Sequence, residues 1–161
     1  MAAVDYFLKL TDIPGESQDS KHKGEIDLES WSWGEANSGS HAAGGGGGAG
    51  KVSFQDFHFT MKTNKASPKL FLHCANGNHI KEALLVCRKA GKDQQEYLKI
   101  KFAESIVSSY QIGGSAGDVV PVESISLNFA KIEMTYSPQK ADGSLDSPVV
   151  HNYSVKESKG G

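Results

Sequence analysis

The sequence predicts a mainly β domain, in which bent antiparallel strands form a β-barrel with one short flanking α-helix. Three observations carry that prediction. Seven segments are rich in β-branched and aromatic residues, with apolar side chains recurring at every second position. Three of those segments change parity midway, which a strand absorbs by a bulge or bend, and bent strands suit barrels. A single segment, Ser67 to Gly77, carries helix punctuation at both ends.

The first predicted strand is Val4 to Leu10, with Val4, Tyr6, Leu8 and Leu10 on one face and Asp12-Ile13-Pro14-Gly15 as its stop. Glu16 to Lys23 reads as polar loop. Glu25 to Gly34 places Ile26 and Leu28 on even positions but Trp31 and Trp33 on odd ones, so a bend is expected near Glu29-Ser30. Lys51 to Thr60 repeats the pattern, with Val52 and Phe54 even and Phe57 and Phe59 odd, and predicts a bend near Gln55-Asp56. Between these two segments, Glu35 to Gly50 forms a connection ending in a glycine run. Compact domains seldom carry more than about 12–15 structureless residues unless the loop is functional or disordered.

Ser67 is expected to cap the helix, with Pro68 at its first position and Gly77 closing it. Ile80 to Arg88 and Tyr97 to Tyr110 read as a long hairpin turning at Ala90-Gly91-Lys92-Asp93. Val122 to Tyr136 reads as one long strand with the third parity change, since Ile125, Leu127 and Phe129 are odd but Ile132, Met134 and Tyr136 even. Val149 to Val155 is the last strand. Residues 1–156 are thus expected to be a single β-barrel domain with an extended loop at 37–50, and 157–161 a disordered tail.

Composition narrows the function. With 38% hydrophobic and 22% charged residues, the 161-residue chain has the make-up of an ordinary globular domain. A formal charge of -2 gives no basic footprint for nucleic acid. No apolar run reaches membrane-spanning length, so no membrane insertion is expected. Met1 to Tyr6 lacks the basic and apolar regions of a secretory signal, which places synthesis and folding in the cytoplasm and any export on a route without a cleavable signal peptide. Cys74 and Cys87 are too few for a disulfide framework and read as core thiols.

Two motifs suggest chemistry and fail on context. Gly45-Gly46-Gly47-Gly48-Ala49-Gly50-Lys51 matches a phosphate-binding loop as far as the lysine, but Val52 stands where a magnesium-binding hydroxyl is needed, and a strand pattern follows where a helix should start. Gly113-Gly114-Ser115-Ala116-Gly117 spells a nucleophile elbow, yet extended chain follows it, so Ser115 reads as a loop serine. Six scattered histidines show no metal-ligand spacing, and Glu25, Asp27 and Glu29 alternate as a solvated face. No catalytic residue, metal site or cofactor is expected.

Several segments together resemble one family. Asp5-Tyr6-Phe7-Leu8-Lys9-Leu10, His22-Lys23-Gly24-Glu25-Ile26, Trp31-Ser32-Trp33-Gly34, Gly44 to Val52, Ser67-Pro68-Lys69-Leu70, Arg88-Lys89-Ala90-Gly91, Val107-Ser108-Ser109-Tyr110 and Pro138-Gln139-Lys140-Ala141-Asp142-Gly143 are similar to the Hcp family, the haemolysin-coregulated tube protein of type VI secretion. The resemblance runs from about Asp5 to Leu145, with departures mostly past Asp146.

It implies a β-barrel assembled into a hexameric ring, with rings stacked into the inner tube of a contractile injection machine. The implied partners are further copies of the chain, the spike, sheath and baseplate, and small effector proteins carried in the lumen. The implied localisation is cytoplasmic before firing and secreted afterwards. The long loop would support stacking, which singles out Ser40, His41, Gly45, Gly46, Gly47, Gly48, Gly50 and Lys51. From Asn37 to Gly50 it could reach up to roughly 45 Å if extended.

If Trp31 and Trp33 face the core, alternation turns Ser32 outward, where a small hydroxyl could contact cargo in the lumen; an ordinary exposed strand serine fits the same alternation. Two other classes stay open on residues alone: a hydrolase using Ser115, which a serine-reactive probe would label, and a monomeric ligand-binding barrel with 35–50 as a lid, which light scattering separates from a ring.

Overall fold

The computed structural model describes residues 4–39, 51–91 and 94–161. In chain order its elements are β1 (Val4–Leu10), β2 (Ile26–Asp27), β3 (Ser30–Ser32), β4 (Glu35–Asn37), β5 (Val52–Phe54), β6 (Phe57–Lys62), α1 (Ser67–Asn76), β7 (His79–Lys89), β8 (Glu96–Gly113), β9 (Val122–Asn128), β10 (Lys131–Tyr136), β11 (Val149–Ser154) and β12 (Lys159–Gly160). Every strand pairing is antiparallel. The class is mainly β with one helix among the described residues.

The 18-residue β8 is the spine. It pairs with β7 on one side, and on the other with β10 along Leu98–Ala103 and with β9 along Ile106–Gly113. The handover falls at Glu104, which takes a left-handed φ of 52°, an unfavourable conformation for a residue with a Cβ. That local cost falls where β8 exchanges β10 for β9, so that one strand serves two neighbours.

The predicted parity changes mark changes of partner. At Leu28–Glu29 the chain leaves β1, where Leu28 N–H donates to the Tyr6 carbonyl at 3.0 Å, and joins β6, where Glu29 N–H donates to the Thr60 carbonyl at 2.9 Å. At Gln55–Asp56 it leaves β4 for β3 and β9. At Phe129–Ala130 it passes from β9 to β10. The long Val122–Tyr136 strand is therefore two strands, both laid on β8. Pairing runs β2–β1–β7–β8–β9–β6–β3, and β2 and β3 belong to one segment, so the sheet wraps on itself through Leu28–Glu29 rather than by an unbroken ladder.

The wrap is driven by aromatic burial. Phe57, Phe59 and Phe102 are almost wholly buried, and Phe57 and Phe102 stack with centroids 4.6 Å apart. Leu8, Ile26, Leu85, Ile100, Ile125 and Leu127 fill the space around them. Cys87 belongs to this core, and burial pushes its thiol up to about 11, which leaves it protonated and unreactive. Cys74 is half-buried on α1 and also free.

The helix ends as expected at its C-terminus, where Gly77 takes φ 72° and donates to the His73 carbonyl at 2.9 Å. Its start differs from the expectation. Ser67 is the first helical residue and not the N-cap: its hydroxyl donates to Glu123 Oε2 at 2.6 Å across to β9 and accepts from Asn64 N–H at 3.0 Å. Asn64 Oδ1 takes the nearby Ala66 N–H at 2.9 Å instead.

Two further expectations are corrected. The connection begins later than Glu35, because Glu35–Asn37 pairs with Val52–Phe54 as a two-stranded ribbon that β-formers Val52 and Phe54 stabilise. The tail is ordered: Lys159 and Gly160 pair with Ser154 and Tyr153, and Gly161 exchanges two backbone hydrogen bonds with Asn152 at 2.8 and 3.0 Å. Gly160 permits this approach, since a Cβ there would lie 2.5 Å from the Asn152 carbonyl oxygen.

Candidate functional site

The outer face of β3–β6–β9–β8 holds Ser32. Trp31 packs edge-on against Tyr6 and tilts against Phe57, and Trp33 stacks near Phe54 and Phe129. Both indoles thus turn to the core and Ser32 is exposed between them. Register then puts one row across four strands, Ser32 opposite His58, His58 opposite Ser126 and Ser126 opposite Ser109. The next row is Ser30, Thr60, Ser124 and Gln111.

The rows are knit by hydroxyls. Ser30 Oγ and Thr60 Oγ1 lie 2.6 Å apart. Ser126 hydrogen-bonds to Ser109 and, at 2.9 Å, to Ser108. Ser108 Oγ donates to Asp56 Oδ2 at 2.6 Å, and Asn128 Nδ2 donates to Asp56 Oδ1 at 2.9 Å. The result is a face of polar side chains without a large apolar group in either row, in which Ser126 is itself buried under its neighbours. It can hydrogen-bond a protein surface laid against it. His58 and Ser126 adjoin, but Ser126 is tied to other serines, so no nucleophile and base are set up. Only Ser32 of this face was singled out from sequence; the signal for the rest lay in the alternation Phe57-His58-Phe59-Thr60 and Ser124-Ile125-Ser126-Leu127.

The ribbon rises from the same segment. Gly34 accepts from Gln55 N–H at 2.9 Å at its base, and Gly39 N–H donates to Asn37 Oδ1 at 2.8 Å beyond β4. Lys51 is exposed at the start of the returning strand. Ser40, His41, Gly45, Gly46, Gly47, Gly48 and Gly50 lie outside the described residues. Lys51 leads directly into β5, and a strand rather than a helix therefore follows the glycine run.

Ser115 donates to Asp118 Oδ2 at 2.9 Å in an exposed turn that leads into β9, again with no helix. Among the described residues, no three His, Cys, Asp or Glu side chains are grouped to hold a metal ion, and no helix is long and apolar enough to cross a membrane.

Elsewhere two apolar patches are exposed. One is Phe71 and Leu72 on α1, with Ile112 on β8; the other is Met134, Tyr136 and Val149 on one face of β10 and β11, with Val150 exposed on the opposite face beside Thr135. The first lies by the C-terminal half of β8, where Phe71 meets Tyr110 edge-on, and the second is carried by its N-terminal half. Tyr110 and Leu98 are up to about 40 Å apart along the strand.

Residues 7–136 match the family model of the type VI secretion system effector Hcp. The chain is 50% identical over 158 residues to protein hcp1 of Pseudomonas aeruginosa, covering 97% of this chain and 98% of that protein. Among solved structures it is similar to Hcp1 from Salmonella typhimurium, with a TM-score of 0.82 and 37% identity over 99% of both chains. It is also similar to a type VI secretion system effector from Yersinia pestis, with a TM-score of 0.76 and 34% identity over 94% of this chain and 100% of that one. With register, core and these relatives in agreement, the chain belongs to the Hcp family of the type VI secretion system.

Proposed function

We propose that this chain is the structural subunit of a type VI secretion inner tube: hexameric rings stack, leave the cell with the machine, and carry small effector proteins in the lumen. The observation that supports this best is the pair of unlike apolar patches, Phe71-Leu72-Ile112 and Met134-Tyr136-Val149. Exposed patches of this kind mark contact surfaces. Two different patches on one chain favour a head-to-tail contact, which closes as a ring when the rotation per subunit allows. The spike above, the sheath around and the baseplate below would be the ring's further partners, and export with the tube needs no cleavable signal.

In this reading the hydroxyl face of β3–β6–β9–β8 lines the lumen and Ser32 contacts cargo. The arm from Asn37 to Lys51 reaches the next ring. Its glycines suit close backbone approach, and the β4–β5 ribbon gives it a rigid base. Light scattering tests the ring directly. Six times the 17.2 kDa chain mass supports it, and a monomer mass at micromolar concentration overturns it. Deleting Gly45 to Gly48 should leave rings but abolish tubes in electron micrographs; intact tubes would remove the arm from stacking.

A further inference from the structure

Between β1 and β2 the chain runs from Thr11 to Glu25 without regular structure, and it buries Ile13, Ser17 and the imidazole of His22. The imidazole stacks on Phe7 at 4.2 Å and 11°. Nδ1 lies 3.0 Å from Glu25 Oε2 and 3.1 Å from Glu25 Oε1, and Nε2 lies 2.6 Å from Glu96 Oε1 at the start of β8. A neutral imidazole has one N–H and one lone pair. With carboxylates at both nitrogens, the lone pair of a neutral ring would face an anion, so the full contact set needs the imidazolium.

The charge balance around it agrees. Burial alone would push the Glu96 carboxyl up, but the bond to His22, the His22 charge and Lys99 at 3.4 Å hold it below its ordinary value. The other charged groups of the cluster are Asp19 in the same segment, Asp5 on β1, Asp27 on β2 and Arg88 on β7. Arg88 stacks on the same Phe7, with its guanidinium carbon 4.8 Å from the ring centroid, and pairs with Asp19 at 2.7 Å and Asp5 at 3.0 Å.

We propose that His22 is a proton-dependent clasp that fastens segment 11–25 to β8 through Glu96. Protonated, it bridges two carboxylates; deprotonated, it keeps one bond and turns a lone pair toward the other. The clasp is therefore fully made while the ring carries its proton and weakens when the ring loses it. Asp19–Arg88 and the buried Ile13 still hold the segment then, so it loosens rather than detaching. This inference is independent of the tube reading.

The test is nitrogen-15 NMR of the histidine rings in the full chain, with amide exchange of His22, Gly24 and Glu25 followed in parallel. Near pH 5.5 both His22 ring nitrogens should be protonated. As the ring loses a proton, exchange of those amides, corrected for intrinsic base catalysis, should rise about tenfold or more, the equivalent of one charge-assisted hydrogen bond, while that of Phe7 and Val86 stays unchanged. Glu96→Gln, which keeps the shape and removes the charge, should move the His22 titration to lower pH. A ring that is neutral at pH 5.5, a Glu96→Gln titration superimposed on the wild type, or exchange that does not follow the ring would each overturn the clasp.

Discussion

The four strands β3, β6, β9 and β8 carry two faces with opposite chemistry. Inward they present Trp31, Phe57, Phe59, Ile125, Leu127 and Tyr110; outward, Ser32, His58, Thr60, Ser124, Ser126, Ser109 and Gln111. Backbone pairing is common to both, so the side chains alone set the difference. Burying large aromatics stabilises the wrap and fixes register, since a one-residue slip would expose every one of them. The outer face adds little to stability, because exchanging water for a neighbouring hydroxyl gains only about 1 kcal/mol per bond. Small polar residues there leave stability almost untouched and are free to meet a partner.

Substitutions can break this contrast. Phe57→Ala should have the largest effect, about 3–5 kcal/mol lost in denaturant unfolding, because Phe57 is fully buried and touches Phe59, Phe102 and Trp31. A charged exception on the inner face is Glu123, which is buried beside Tyr110 and whose Oε1 has no hydrogen-bond partner. Burial first and Glu123 second hold the Tyr110 hydroxyl well above its ordinary value. Ser67→Ala removes the bond from Ser67 Oγ to Glu123 Oε2 and the one that Ser67 Oγ accepts from Asn64 N–H, and should cost about 1–3 kcal/mol and loosen α1 in amide exchange.

The segment ahead of β2 is anchored by charge as well as by the buried Ile13, and should respond to acid where the wrap does not. The hydrogen bond from Arg88 holds the Asp19 carboxyl down to about 2. A carboxyl lowered on folding contributes stability that is complete above its unfolded value, about 3.9, and is lost as pH falls through its folded value. Asp19→Asn should therefore flatten the stability profile between about pH 4 and pH 2. A smaller and more local effect is expected from Gly160→Ala, which should free β12 to proteolysis while the melting temperature holds, because the contact it breaks lies on exposed chain.

Much of the fold was legible because alternation is a direct consequence of strand geometry. Val4–Leu10 and the end of the helix at Gly77 came out as read, and the parity changes at Glu29, Gln55 and Phe129 located the breaks within a residue or so. That these breaks exchange one partner strand for another was not legible, since parity says that a face has turned and not what lies beside it. Ser67 looked like a cap because serine before Pro68 usually is one; a carboxylate 56 residues away took its hydroxyl. The tail looked disordered from composition, yet Gly160 is what close backbone approach to β11 requires. Of the candidate site, Ser32 was readable from its two tryptophan neighbours, whereas the row from His58 to Ser109 needed the register of three other strands.

The division of labour between the two faces is tested most directly at Ser32, on which the cargo reading rests. Ser32→Gln should melt within about 0.5 kcal/mol of wild type, as exposed substitutions do, and should keep the ring mass in light scattering. Co-purification of a small effector with the ring should nonetheless fall sharply, because the longer side chain stands where cargo must lie flat. Undiminished effector retention on intact rings would contradict the account.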